Sequence, residues 1–267
     1  MRFFLLVLVL FSLNATAQTK QEGVEVQRSR LLLLPASTVE RSATQQYSEL
    51  MRAAQQKNAL NRDPRQLERL QRIARQLIPH ATRFNKHADK WRWEVNLISS
   101  KSVNAFCMPG GKIAFFTGIL EALQLTDDEV ATIMGHEIGH ALLEHGRARM
   151  SEQLLKNIGI SAAAVMLNLG DVSAAVLSQA ANLAVSLPYA RKQEADADLV
   201  GLELAARAGY DPRAAVVVWQ KMSKYAQGAG RGQPPQFLST HPSNQNRIRE
   251  IEANLPKVLP LYKKAPP

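Results

Sequence analysis

The sequence predicts an α+β fold, mostly helical, with a small antiparallel sheet beside one histidine-bearing helix. Three observations predict it. Helical periodicity and capping signals recur from about Arg41 to the C-terminal region. One block alone, Trp91 to Gly118, holds short runs rich in aromatic and branched residues. No segment repeats internally. At 267 residues, 46% of them apolar, the chain can bury one substantial core.

The first residues do not belong to that core. "MRFFLLVLVLFSLNATAQ" has one basic residue, an apolar run from Phe3 to Leu13, and Ala15-Thr16-Ala17 as a small-x-small site. The run is too short to span a bilayer and has the layout of a secretory signal cleaved after Ala17. The expectation is therefore an exported protein. There is a single cysteine, Cys107, so no internal disulfide can form. In "VNAFCM" it reads as a small buried hydrophobe. The formal charge of +10 falls by one unit when Arg2 leaves with the signal. Its basic residues are scattered and lack interleaved aromatics. This suits peripheral contact with an anionic envelope surface and gives no support to nucleic-acid binding.

The layout follows: residues 1–17 as signal peptide, 18–62 as N-terminal leader and helix, 63–255 as the main domain, 256–267 as a C-terminal tail. "RLLLLPAS" reads as a strand or tether stopped by Pro35. Asp63-Pro64 reads as an N-cap with proline at the first helical position. Leu67, Leu70, Ile73, Ala74 and Leu77 then follow at helical spacing. "WRWEVNLI", "SVNAFCM" and "KIAFFTG" read as strands, the last two joined at Pro109-Gly110-Gly111 in a hairpin. Thr126 and Glu129 form a capping box, with Asp127 and Asp128 at the positive helix end. The helix they start is expected to run through the histidines to about Met150. Residues 158–187 are apolar but carry Asn168, Asp171, Gln179 and Asn182. They read as two packed helices around Gly170-Asp171, not a membrane span. A helix from about Ala190 to Ala208 stops at Gly209. A flexible "GAGRGQPPQ" and a last helix capped by Ser243 complete the chain.

The chemistry sits in "IMGHEIGHALLEH". At about 100° per residue, His136 and His140 point the same way, one turn apart, so two imidazoles can meet one Zn²⁺. Glu137, adjacent, can serve as a base without being a ligand. His145 is about 140° round from His140 and reads as a surface or capping residue. Glu144 is about 12 Å along the axis from His136, too far for metal bonds of about 2 Å. A third ligand must come from another element. "EADADLVGLELAARAG" supplies Glu194 and Asp198, four apart on one helix face. Glu194 would complete a His₂Glu site, and Asp198 would orient a ligand imidazole. Taken in isolation, "EADAD" would read as a solvated acidic patch. Beside a histidine pair lacking an acid, it reads as part of the site.

"VNAFCMPGGKIAFFTGIL", "MGHEIGHALLEHGRAR", "EADADLVGLELAARAGYDPRAAVVVWQKM" and "LSTHPSNQNRIREI" occur in that order. Together they resemble the HtpX/OMA-type and CAAX-prenyl-protease family of gluzincin zinc endopeptidases, over about residues 65 to 255. Within it the chain is most similar to exported bacterial members such as BepA and LoiP. The resemblance implies a zincin-like metalloprotease domain with one Zn²⁺ per chain. It implies His136, His140 and Glu194 as ligands and Glu137 as catalytic base. Asp198 matches the family's second acid, a hydrogen-bonding partner or proton donor. His241 matches a loop histidine near the metal, a switch or a transition-state stabiliser. The hairpin matches the sheet edge beside the cleft, where an extended peptide can add as a strand. The expected function is cleavage of unfolded or misassembled cell-envelope proteins, outer-membrane proteins among them, in the bacterial periplasm. The rival is a zinc-stabilised chaperone or assembly factor that binds such clients and rarely cuts.

Overall fold

The computed structural model describes residues 23–26, 32–166, 190–228, 235–242 and 245–264. The signal segment, the region of the expected paired helices from residue 167 on, most of the Gly- and Pro-rich loop and the Ser243 cap lie outside the described residues.

Helix α1 spans Ala36–Gln56 and α2 spans Pro64–Leu77. The Asp63 side chain accepts from Gln66 N at the start of α2, as the Asp-Pro signal predicts. Strands β1 (Glu94–Ile98), β2 (Ala105–Met108) and β3 (Lys112–Phe116) follow. They form one sheet in the order β1-β3-β2. Gly110 and Gly111, at φ +82° and +79°, make the turn between β2 and β3, which pair antiparallel. The sheet is not wholly antiparallel, because β1 pairs parallel to β3. The chain reverses between β1 and β2 and again at the hairpin, so β3 runs with β1 once it sits between its neighbours.

Helices α3 (Thr117–Ala122), α4 (Asp127–Leu142) and α5 (His145–Met166) come next. The capping box is present: Thr126 Oγ1 accepts from Glu129 N at 3.3 Å, and Glu129 Oε2 accepts from Thr126 N at 2.7 Å. Arg69 and Arg72 of α2 hold Asp127 at 2.5 and 2.6 Å. The expected single helix to Met150 breaks at Leu143-Glu144, where Glu144 takes φ +57°. Its second part, α5, runs on past Met150 to Met166, into the segment where the sequence predicts a new helix from residue 158. The chain then runs through α6 (Arg191–Arg207), α7 (Ala214–Gly228), α8 (Gln236–Thr240) and α9 (Gln245–Lys264). Helix α7 is an addition to the sequence reading. Helix α9 continues through Pro256 and Pro260 into residues that composition reads as a tail. Among the described residues, no helix is long and apolar enough to cross a membrane.

Helix α4 is buried along its whole length from Glu129 to Leu142. The sheet, α2, α6 and α7 enclose it. Cys107 is buried, and burial pushes its thiol well above the usual range, so it is inert as expected. The leader acts as a tether: Leu34 O and Leu32 O accept from Arg147 at 2.6 and 3.4 Å.

Tyr47 fixes α1 to the sheet. It is 1% exposed, donates to Ile113 O at 2.6 Å and accepts from Asn96 Nδ2 at 2.9 Å. Burial holds its hydroxyl above the usual value of about 10. Tyr47→Phe removes the hydroxyl that bridges Ile113 O and Asn96 Nδ2 and is expected to lower stability by about 1–3 kcal/mol. A raised folded-state pKa contributes stability that is present below about pH 10 and is lost as pH rises beyond it. Urea titrations of both proteins at pH 7 and 11 check both points: the wild type should fall more steeply with pH than Tyr47→Phe.

Candidate metal centre

Helices α4 and α6 cross closely because neither carries a side chain at the crossing. A Cβ on Gly201 would lie 2.8 Å from His136 N, and one on Gly135 would lie 3.0 Å from Gly201 O. Close approach there lays the first turn of α6 over the histidine face of α4. Glu194 is thereby brought to His136 and His140.

The ligand atoms converge. His136 Nε2 and His140 Nε2 are 3.1 Å apart. Glu194 Oε1 lies 3.3 Å from His140 Nε2, and Glu194 Oε2 lies 3.6 Å from His136 Nε2. His241 Nδ1 lies 3.3 Å from His136 Nε2 and 3.0 Å from Glu194 Oε1. One ligand atom from each of these four buried residues falls within 4.8 Å of all the others. Tetrahedral ligands about 2.0–2.1 Å from zinc stand about 3.3 Å apart, close to these separations.

The imidazoles are held from behind. Asp198 Oδ1 is 2.9 Å from His136 Nδ1. Burial opposes charge on His136, but Asp198 outweighs it and raises the pKa. A proton on Nδ1 leaves the Nε2 lone pair facing the cluster. His145 does the same for His140. It is 1% exposed, with its Nδ1 2.9 Å from His140 Nδ1. It is therefore not the surface residue expected from helical geometry. The break at Glu144 starts a new helix at His145 and cancels the rotation computed for a continuous one. Burial lowers the pKa of His145 to about 3 and that of His140 well below the ordinary value. Both rings are neutral, and one donates to the other.

Arg247, from α9, carries no expectation from the sequence. It is 4% exposed and grips Asp198 with two nitrogens, at 2.5 and 2.9 Å. A third nitrogen is 2.5 Å from Glu194 Oε2, and the guanidinium lies over Trp219 at 3.7 Å. Burial opposes ionisation of Asp198, but Arg247 and His136 hold its pKa low. Glu194 is likewise buried, and hydrogen bonds to His140 and His241 with the charge of Arg247 hold it far below the carboxylate range. The signal for Arg247 was its phase: it extends the stripe of Ile251, Val258 and Leu261, so its charge had to find buried partners.

Glu137 stands beside the cluster. Its Oε1 is buried without a hydrogen-bond partner among the described residues and lies 3.4 Å from His241 Nε2. Burial raises its pKa. Three buried carboxylates, Glu137, Glu194 and Asp198, share this cluster with one buried guanidinium, Arg247. One divalent cation offsets the remaining charge, so donor set, spacing and charge all fit a metal ion.

An arrangement of this kind fits a zincin-like metallopeptidase domain. The profile of peptidase family M48 matches residues 64–255, and the chain belongs to that family. It is 40% identical over 170 residues to the mitochondrial metalloendopeptidase OMA1 of Arabidopsis thaliana, covering 63% of this chain and 33% of the relative. It is 29% identical over 153 residues to the metalloprotease LoiP of Escherichia coli, covering 57% and 58%. To a putative beta-barrel assembly-enhancing protease of Vibrio cholerae it is 28% identical over 172 residues, covering 62% and 35%. The matches thus span about a third to somewhat over half of these relatives' lengths.

Two outcomes follow from the geometry. Glu194→Ala is expected to lose the metal, whereas Glu137→Gln keeps it, as read by metal analysis of purified protein. Arg247→Leu strands two buried carboxylates and is expected to destabilise the metal-free protein by about 3–5 kcal/mol. Denaturant unfolding in chelator measures it.

Proposed function

We propose that this chain is a zinc-dependent endopeptidase that cleaves unfolded or misassembled cell-envelope proteins. One observation carries the reading: Glu137 lies, with a buried carboxylate oxygen that has no hydrogen-bond partner among the described residues, beside the point where His136, His140 and Glu194 converge. A binding protein has no use for such a base.

His136, His140 and Glu194 would hold Zn²⁺, which supplies a Lewis acid that polarises the scissile carbonyl and acidifies the attacking water. Glu137 takes the proton of that water and passes it to the departing amine. Burial raises its pKa, which makes the carboxylate a better proton acceptor. Asp198, held by Arg247, keeps His136 in the ligating tautomer. His241 closes the cluster with Nδ1 and faces Glu137 with Nε2. We read this as a resting arrangement that His241 leaves when substrate enters. Support for an envelope setting comes from the secretory layout of residues 1–17 and from the Vibrio relative, whose name refers to β-barrel assembly.

Casein digestion by the zinc-loaded wild type, Glu137→Gln and His241→Ala tests the reading. Glu137→Gln should be inactive with zinc retained. His241→Ala should keep zinc and cleave faster than wild type. A fall of about 10²–10³-fold in kcat/KM for His241→Ala would make it a transition-state donor instead. A wild type that binds casein without cutting it would favour the zinc-stabilised chaperone.

A further inference from the structure

Helix α1 lies ahead of residues 64–255, which the family profile matches, and it walls the approach to Glu137. A cavity of about 110 Å³ opens between α1 and β2, with Glu137 and His241 at its inner end. Val39 and Ala43 of α1, Phe106 and Met108 of β2, and Met150 of α5 contribute its apolar lining. The wall is fixed: the α1 face carrying Tyr47, Met51 and Ala54 packs on Ile98 and Ala114 of the sheet. Trp91 Nε1 also donates to Glu40 Oε1 at 3.1 Å.

Strand β2 is the sheet edge at this cavity. Phe116 N donates to Asn104 O at 3.1 Å, which sets the ladder phase. Alternation then turns the backbone groups of Ala105 and Cys107 away from β3, to the outer edge. An extended chain aligned on that edge directs alternate side chains to one side. The cavity is somewhat smaller than the engineered void of about 150 Å³ that accepts a benzene ring. It accommodates a branched or linear aliphatic side chain and is tight for an indole; Arg149 also lines it, away from the apolar wall of α1 and β2.

We propose that α1 and β2 form a specificity pocket for one medium-sized aliphatic side chain, such as leucine, of an extended polypeptide. That residue flanks the bond presented to Glu137. The inference rests on the peptidase reading for the bond, but not for the binding.

The test uses zinc-loaded Glu137→Gln, which holds peptides without cutting them. Its ligands are fluorescein-labelled 12-residue peptides that differ at one central position: Leu, Ala, Trp or Asp. Fluorescence anisotropy should show Leu bound at least about tenfold tighter than Ala, and tighter than Trp, with Asp reading the pull of Arg149 against the apolar wall. Adding Ala43→Phe fills the pocket and should abolish the preference of Leu over Ala. Adding Val39→Ala enlarges it and should shift preference towards Trp. Thermal unfolding confirms that each variant is folded, and either variant alone decides the question. Equal affinity for all four peptides, no binding of any, or a Leu preference that survives in a folded variant overturns the proposal. Selective binding with no casein cleavage by the wild type would sink the peptidase reading and leave the pocket standing.

Discussion

Everything at the centre depends on how closely α4 and α6 approach. Gly135 and Gly201 set that distance, since a Cβ at either would press on the opposing backbone. The crossing places Glu194 against the histidine pair and Asp198 against His136 Nδ1. Glycine in mid-helix costs about 1 kcal/mol of propensity against alanine at each position. Here the cost is offset by burial of the full length of α4 between the sheet and α6.

The same crossing gathers carboxylates that repel one another in a medium of low dielectric. Arg247 answers part of that charge from a third helix, with contacts to Asp198 and Glu194 and its flat face on Trp219. Removing one partner of such a network leaves an uncompensated buried charge, a larger loss than the pair itself is worth. The network therefore couples the metal site to the packing of α7 and α9. A helix far from the histidines in sequence becomes part of the condition for their geometry.

What could be read from the sequence was local. The Asp63 cap, the Thr126 box and the four-residue spacings of His136/His140 and Glu194/Asp198 are fixed within one or two turns, and the helices stand where those signals put them. What could not be read depends on departures from regularity or on distant pairing. His145 is misplaced by helical arithmetic because Glu144, a non-glycine residue, adopts a left-handed conformation that nothing local announces. The direction of β1 against β3 follows from which edge of β3 it occupies, a long-range choice. The isolated glycines in the helix patterns were a legible sign of close packing. They read as such only once a partner helix is known.

Burial of the centre sets what can reach it. His136, Glu137, His140, Glu194 and His241 are each 2–3% exposed. A folded protein surface cannot bring a peptide bond into such a site, because its backbone is committed to its own ladders and helices. An extended single chain can, since its free N–H and C=O groups match those turned outward along β2. Under the proposed reading, discrimination between folded and unfolded protein then needs no sequence motif. Access alone performs it, and any preference among unfolded chains is left to the few side chains that wall the approach.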